Sequence, residues 1–439
     1  MGGTLSSTRD ALSWGRYPQQ PQRIHPLWTR HSPLPVLGAK LLPRGNGRSY
    51  GDVCLNSEGV LLHTRGLDHF ISFDWERGVL TCEAGVTLAE ILTMIVPRGW
   101  FLPVTPGTKF VTLGGAIAND VHGKNHHRSG SFGHFVRRLE LLRSDETRII
   151  CSRDDHSDWF AATIGGLGLT GLITWAEIQL RPIWNEWLAA ETLRYRSIDE
   201  FFELSAESAR DYEYTVAWID STSRKRPGSG IFFRANHAPF ALHPLQFKRS
   251  LSTSIPFTPP FSAINRFSVG LLNSAYFQRS KPAASPKLVH YEPFFYPLDA
   301  IKNWNRLYGP QGFLQYQCVL PSPSAREGLR EILQRIRISG EGSFVSVLKV
   351  FGDAPKTGLL SFPRPGVTLA LDFPISGPST FTLLDDLDSV VMTAGGTGYP
   401  AKDARMKACI FRGGFADLDQ FKRFVDPSFS STFWKRMGY

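Results

Sequence analysis

The stretch PVTPGTKFVTLGGAIANDVHGKNHH, Pro103 to His127, decides how this chain is read. Its first part is apolar or small and rich in glycine; it then breaks into His122, Gly123, Lys124, Asn125, His126 and His127. Small residues such as Gly107, Gly114, Gly115 and Ala116 let a backbone approach a ligand and turn its N–H groups toward phosphate oxygens. A dense polar cluster directly behind such a loop is where a bound cofactor would meet its chemistry. Working outward, PRGNGRSYGD (Pro43 to Asp52) lies upstream and GGLGLTG (Gly165 to Gly171), running into LITWAEIQL, lies downstream. A single glycine loop is usually just a turn. Three in order, each beside a strand-like run, are harder to explain that way. None matches GxxxxGK[ST], and none has GxGxxG between a strand and a helix with an acid at the required distance. The sequence therefore points away from a P-loop or a Rossmann site.

Around these loops the pattern is α+β. VLGAKLLP, GVLLHT, HFISFD and GVLTCEAG read as short strands separated by turns. VTLAEILTMIVPRG has helical spacing (Leu88, Ile91, Leu92, Ile95) and stops at Pro97-Arg98-Gly99. FVRRLELLRS with ETRIICS predicts a hairpin, and HSDWFAATIG a short helix. The elements do not alternate in the Rossmann manner. A second domain begins near Arg181-Pro182. It holds predicted helices in SIDEFFELSAESARD, SAREGLREILQRIRISG and PSTFTLLDDLDSVVMTAGG, and strands in YTVAWID, LQYQCVLP and SFVSVLKVFG.

At 439 residues the chain can hold two or three cores. No apolar run reaches the 18 or so residues of a membrane span, and the N-terminus lacks a signal-peptide core; the expectation is synthesis in the cytoplasm without such a signal. The five cysteines, Cys54, Cys82, Cys151, Cys318 and Cys409, are widely spaced and include no CxxC, which argues for reduced thiols. His122 and His126 have i, i+4 spacing, but Gly123 and Asn125 disfavour a helix and no HExxH appears, so no metal is expected. No GxSxG elbow suggests a serine hydrolase.

The net charge of +10 is concentrated. Between Ser221 and Tyr291 there is no Asp or Glu, and ten cations: Arg224, Lys225, Arg226, Arg234, Lys248, Arg249, Arg266, Arg279, Lys281 and Lys287. The same stretch is rich in proline and in aromatics, among them Phe240, Phe247, Phe257 and Phe261. It reads either as a mobile basic surface insertion, as a nucleic-acid surface, or as a lid meeting anionic headgroups and an apolar chain.

The ordered set RGNGRSYGD, PGT…TLGGAIANDVHGKNHH, GGLGLTG resembles the PCMH-type FAD-binding domain of the vanillyl-alcohol oxidase superfamily. Within it, the chain is most similar to the decaprenylphosphoryl-β-D-ribose 2-oxidase family. FYPLDAIKNWNRLYGPQGFLQYQ (Phe295 to Gln317), VLKVFG (Val347 to Gly352), LSFPRPG…LDFP (Leu360 to Pro374) and YPAKDAR (Tyr399 to Arg405) carry the resemblance onward. It runs from about Trp14 to the C-terminus and is poorest between about 221 and 290. It implies a two-part FAD-binding domain at 1–182 and a substrate domain at 183–395, built on an antiparallel sheet with flanking helices and carrying the basic insertion 221–291. Residues 396–439 would return to the FAD domain.

For the cofactor, the resemblance implies that Arg44, Gly45, Asn46, Gly47, Arg48, Ser49, Tyr50 and Gly51, with Gly107, Thr112, Leu113, Gly114 and Gly115, hold FAD. Asn119 and His122 would approach the rest of it, Ile173 its adenosine side, and Tyr399 the isoalloxazine. Many relatives attach FAD through a histidine in the first loop; here Arg48 stands there, so dissociable FAD is expected. For catalysis it implies Lys402 or His122 as base with Tyr50 nearby, Lys124 and Lys349 on the substrate phosphate or sugar, and Gln315 and Gln317 on sugar hydroxyls. Close members carry a cysteine two residues before the LDFP aspartate; here it is Ala370.

The implied activity is oxidation of the 2-hydroxyl of a polyprenylphosphoryl pentose to the 2-keto sugar. An NAD(P)H-dependent short-chain reductase would complete an epimerisation to the arabinose form in cell-envelope biosynthesis. The resemblance also favours the lid reading of the basic stretch and a peripheral membrane surface, with no nucleic acid and the envelope side left open. The competing readings are a soluble sugar, alditol or aldonolactone oxidase on the same fold, and a flavin-free lipid-binding scaffold.

Overall fold

The computed structural model describes residues 6–8, 11–223, 225–239, 253–280, 282 and 285–439. Its first part is built from two small sheets. Gln22–Pro26, Val60–His63 and Leu41–Arg44 run parallel in one, with Ser6–Thr8 at its edge. Phe70–Asp74, Val79–Glu83, Leu172–Gln179, Val136–Leu142 and Arg148–Ser152 form an antiparallel five-stranded sheet in that order, and the last two are the expected hairpin. The helix Leu88–Ile95 starts at a capping box: Thr87 Oγ1 accepts from Glu90 N–H while the Glu90 carboxylate accepts from Thr87 N–H. Leu88, Ile91, Leu92 and Ile95 form its buried stripe.

The three glycine loops converge here. The first leaves the strand Leu41–Arg44, and the second caps the helix Leu113–Ala118 through Thr112 Oγ1, which accepts from Gly115 N–H. The third is stitched to that helix by Gly165 N–H to Ile117 O (2.9 Å) and Leu167 N–H to Ala118 O (2.8 Å). A Cβ on Gly45 would stand 2.3 Å from Thr112 Oγ1, so only glycine lets the first two loops meet.

The second part is one eight-stranded sheet. Its order is Lys287–His290, Trp187–Tyr195, Gly230–His237, Tyr214–Ile219, Ser346–Phe351, Gly366–Pro374, Phe313–Leu320, Thr397–Gly398. Every pairing in it is antiparallel. The helices Ile198–Ser208, Ala325–Ser339 and Pro378–Thr393 cover one face, where Leu314, Tyr316, Cys318, Leu320, Leu348, Leu369 and Leu371 join their core. The strand period of two turns the intervening residues Gln315, Gln317, Lys349, Thr368 and Ala370 toward the other face.

The acid-free stretch is not one insertion, and here the sequence reading is corrected. Gly230–His237 is an interior strand, paired with Trp187–Tyr195 on one side and Tyr214–Ile219 on the other. Lys287–His290 pairs at the sheet edge and Arg266–Arg279 is a helix. The run GIFFRANH has the aromatic and β-branched content of a strand, masked in composition by the prolines that follow it. Arg224, Phe240, Phe247, Lys248, Arg249 and Lys281 lie outside the described residues.

The last helices, Ala408–Gly414, Leu418–Lys422 and Thr432–Arg436, bury Phe411, Phe421, Phe433 and Trp434 against Val53, Ala162, Leu167 and Leu169. Arg436 donates to both carboxylate oxygens of Asp52 (2.8 Å) and to Asp403 (2.7 Å). Among the described residues no helix is long and apolar enough to cross a membrane.

Candidate active site

A cavity of about 680 Å³ lies between the glycine loops and the face of the large sheet opposite those three helices, within the usual size of a ligand pocket. The loops contribute Arg44 through Tyr50, Gly107, Thr112, Gly114, Gly115, Asn119, His122, Lys124 and Ile173; the sheet side contributes Gln315, Gln317, Lys349, Tyr399 and Lys402. Gly51 and Leu113 do not line it, which corrects the sequence reading. A Cβ on Gly51 would sit 1.7 Å from Asp403 O, so this glycine serves backbone packing. Leu113 is fully buried in the core, its N–H bound to Val86 O.

The loop end fits a pyrophosphate-bearing cofactor. Arg44 Nε, Arg48 Nε and Asn119 Oδ1 are buried without hydrogen-bond partners, a costly state unless a ligand completes them. A Cβ on Gly107 would meet nothing within 4 Å, so its backbone faces open space. The Arg48 guanidinium lies 4.1 Å from the Trp14 ring centroid, and burial lowers its pKa. It can pair with phosphate but cannot act as the histidine nucleophile of covalent relatives. Tyr399 stacks on Phe362 (4.4 Å between centroids) and its hydroxyl donates to Asn119 O (2.7 Å), joining the sheet side to the loop side.

The polar centre is held from the sheet. Gln317 Nε2 donates to Thr368 Oγ1 (3.1 Å) and stands 3.0 Å from His122 Nε2. With the amide nitrogen as donor, His122 Nε2 accepts and Nδ1 carries the proton; Nδ1 is buried and has no partner. Burial first, then Lys349, His126 and Lys402, push the His122 pKa well below its ordinary value, so the ring is neutral. Gln315 Nε2 donates to Asp372 Oδ1 across the register pair Gln315–Asp372. Asp372 N–H donates to Ser343 Oγ, and Asp372 Oδ2 has no partner. Burial raises this carboxyl to about 7, opposed by the Gln315 hydrogen bond and Lys402.

Three amines face the same cavity. Burial lowers Lys402 to about 8, against the attraction of Asp372. Lys349 falls to about 7 through burial and through Lys124 and Lys402, and its Nζ donates to Gly123 O (3.3 Å). Lys124 falls to about 7 through burial; its Nζ donates to Phe294 O and lies 4.5 Å from the Phe294 ring centroid.

Sequence reasoning passed over Asp372, although an acid inside an apolar strand calls for a buried partner. It also passed over Trp218, Phe233, Tyr276 and Phe344, which extend the cavity as an apolar limb. Cys318 is fully buried on the helix face, and burial raises its thiol to about 12, so it behaves as a small core residue. No cluster of metal-ligating groups occurs among the described residues.

A family model described as an FAD binding domain matches residues 36–152. Fold, cradle and match together define an FAD-dependent oxidoreductase on an α+β PCMH-type scaffold. The decaprenylphosphoryl-beta-D-ribose oxidase of Mycolicibacterium smegmatis is 35% identical over 415 residues, 91% of this chain and 89% of that protein. An uncharacterised protein of Streptomyces coelicolor is 31% identical over 373 residues, 80% of this chain and 100% of its own length. The L-gulonolactone oxidase of Mus musculus is 28% identical over only 138 residues, 31% of each chain. The chain belongs to the decaprenylphosphoryl-β-D-ribose oxidase family.

Proposed function

We propose that the protein oxidises the 2-hydroxyl of a polyprenylphosphoryl pentose to the 2-keto sugar. The observation that carries this reading is the mixed lining of the cavity. Three buried amines and two glutamines share it with the apolar set Trp218, Phe233, Tyr276 and Phe344. A free sugar or alditol has no use for the apolar set, whereas a lipid phosphate needs both.

Bound FAD supplies the acceptor for the C2 hydride. Lys402 in its neutral form takes the hydroxyl proton. His122, whose Nε2 faces Gln317, serves as a neutral Nδ1–H donor rather than as the base. Gln317 spends both amide hydrogens and Gln315 one on protein partners, and their carbonyl oxygens are left for sugar hydroxyls; Gln315 Oε1 is buried without a partner. Lys124 and Lys349 bind the phosphate, whose charge restores theirs. Tyr50 shields the Lys402 amine. Residues 1–182 with 396–439 hold the cofactor and 183–395 the substrate.

Inversion at C2 requires a second enzyme that returns hydride to the other face of the ketone. An NAD(P)H-dependent short-chain reductase fits that role, and the pair would supply an arabinose donor for the cell envelope. The lipid substrate makes the protein a peripheral one at a membrane surface.

The test is anaerobic titration of FAD-loaded protein. Polyprenylphosphoryl ribose bleaches the flavin absorbance, and free alditols and aldonolactones do not. Bleaching by the free polyols alone overturns the reading.

A further inference from the structure

The helix Arg266–Arg279 has two faces with different company. Val269, Asn273 and Phe277, spaced at i, i+4 and i+8, are buried against the large sheet. Asn273 Nδ2 donates to Asp220 Oδ1 (3.1 Å) and Ser343 O (3.3 Å), which pins the helix to the sheet. Tyr276, on the same helix, lines the apolar limb and lies 5.1 Å from the Trp218 ring. The outer ridge is bare: Phe267 is 75% exposed and Leu271 73%. In the segment leading into the helix, Phe257 and Phe261 are 68% and 71% exposed. Large apolar side chains gathered in this way on a soluble surface mark a contact site.

The segment that carries the ridge has charge of one sign. Arg266 and Arg279 are exposed at the two ends of the helix, Lys287 is exposed on the edge strand, and no Asp or Glu occurs between 221 and 291. The acid beside Arg266 is Glu341, which is only half-buried and comes from a different segment. An apolar ridge fringed by cations is complementary to an anionic lipid surface, which accepts aromatics at its interface and cations at its headgroups.

We propose that the ridge of the helix Arg266–Arg279, with Phe257 and Phe261, seats on an anionic bilayer so that the apolar limb behind Tyr276 opens onto the lipid. One helix would then be both the membrane-contact element and a wall of the chain-binding site. The proposal rests on the lipid-linked substrate reading for what enters the limb, but not for the surface itself.

The test uses FAD-loaded protein and the double variant Phe267→Asp, Leu271→Asp, both changes being on exposed side chains away from the cavity. Cosedimentation is measured with vesicles of equal parts phosphatidylglycerol and phosphatidylcholine, and with phosphatidylcholine alone. The wild type binds the anionic vesicles and the variant binds at least ten-fold less, with an unchanged flavin spectrum. A lipid-linked pentose with a short, water-soluble chain reduces both flavins at the same rate, whereas the long-chain substrate presented in vesicles reduces the variant at least ten-fold more slowly. Equal vesicle binding by the two proteins, or none by the wild type, overturns the proposal. So does a wild-type dimer that the variant breaks without any vesicle binding, since the ridge would then cover a second copy. If no lipid-linked pentose reduces either flavin but the vesicle difference holds, the substrate reading falls and the membrane surface stands.

Discussion

Lys402 Nζ lies 3.8 Å from the centroid of the Tyr50 ring. The ring face favours the ammonium form by about 0.5–2 kcal/mol, yet burial wins and the amine falls to about 8. With Lys402 as the proposed base, which acts in its neutral form, kcat/KM rises with pH through an acid limb near 8. Tyr50→Phe keeps the ring and leaves that limb in place. Tyr50→Leu removes a stabiliser of the charged form and moves the limb down by roughly 0.5–1.5 pH units. Asp372→Asn moves it the same way, since the carboxylate also favours the ammonium. Lys402→Met lowers the rate of flavin reduction by about 10²–10⁴-fold. Anaerobic stopped-flow at several pH values reads all four; a limb unmoved by Tyr50→Leu and Asp372→Asn removes Lys402 as its origin.

At the proposed phosphate site Lys124 and Lys349 act in their charged forms, so their pH effect runs the other way. Both stand near 7 in the free protein, and only their charged forms attract phosphate. The dissociation constant for a phosphate-linked substrate therefore rises as pH climbs above 7, and binding at pH 8 takes up protons. Lys349→Met raises KM for such a substrate at pH 7 by at least ten-fold and changes kcat less. Calorimetry in two buffers of different ionisation enthalpy measures the uptake; its absence would remove these amines from the phosphate site.

Ala370 lines the cavity wall between Gln317 and Val347 in the sheet register. Thiol-directed inhibitors that exploit a cysteine at this place find none in the wild type: Cys318 points into the helix-covered core, and Cys54, which lines the cavity beside the first glycine loop, has a thiol whose pKa burial raises. Ala370→Cys gains one label per chain by intact mass while turnover before labelling stays within about two-fold, as expected for a small volume change on a cavity wall. Labelling of the unmodified chain at the cavity would contradict this.

Arg48 occupies the attachment position of covalent relatives and is held against Trp14. Acid precipitation therefore releases the yellow colour into the supernatant. Colour retained in the pellet would reveal an attachment residue elsewhere.

The glycine loops were legible because close backbone approach leaves glycine few substitutes; Gly45 against Thr112 is the clearest case. The resemblance picked out Gln315 and Gln317, and strand alternation puts the two on one face. Motif contiguity failed at Gly51 and Leu113, which sit among lining residues but turn away from them, since adjacency in sequence does not report facing. Asp372 was hidden because its meaning depends on Gln315 across the register, a long-range relation. The interior strand Gly230–His237 was hidden because a window wide enough to notice missing acids averaged a well-patterned strand with the proline-rich run behind it.

Arg436 grips Asp52, two residues beyond Tyr50, and Asp403, the neighbour of Lys402. The ring and the amine of the proposed reaction centre are thus braced by a side chain 384 residues beyond Asp52. During synthesis the first glycine loop leaves the ribosome hundreds of residues before its brace does. The nascent chain can fold its early sheets, but it cannot hold Tyr50 and Lys402 in register until residue 436 has emerged. Flavin capture in working geometry therefore waits on residue 436, and the protein passes through a period in which its cofactor cradle exists without that brace.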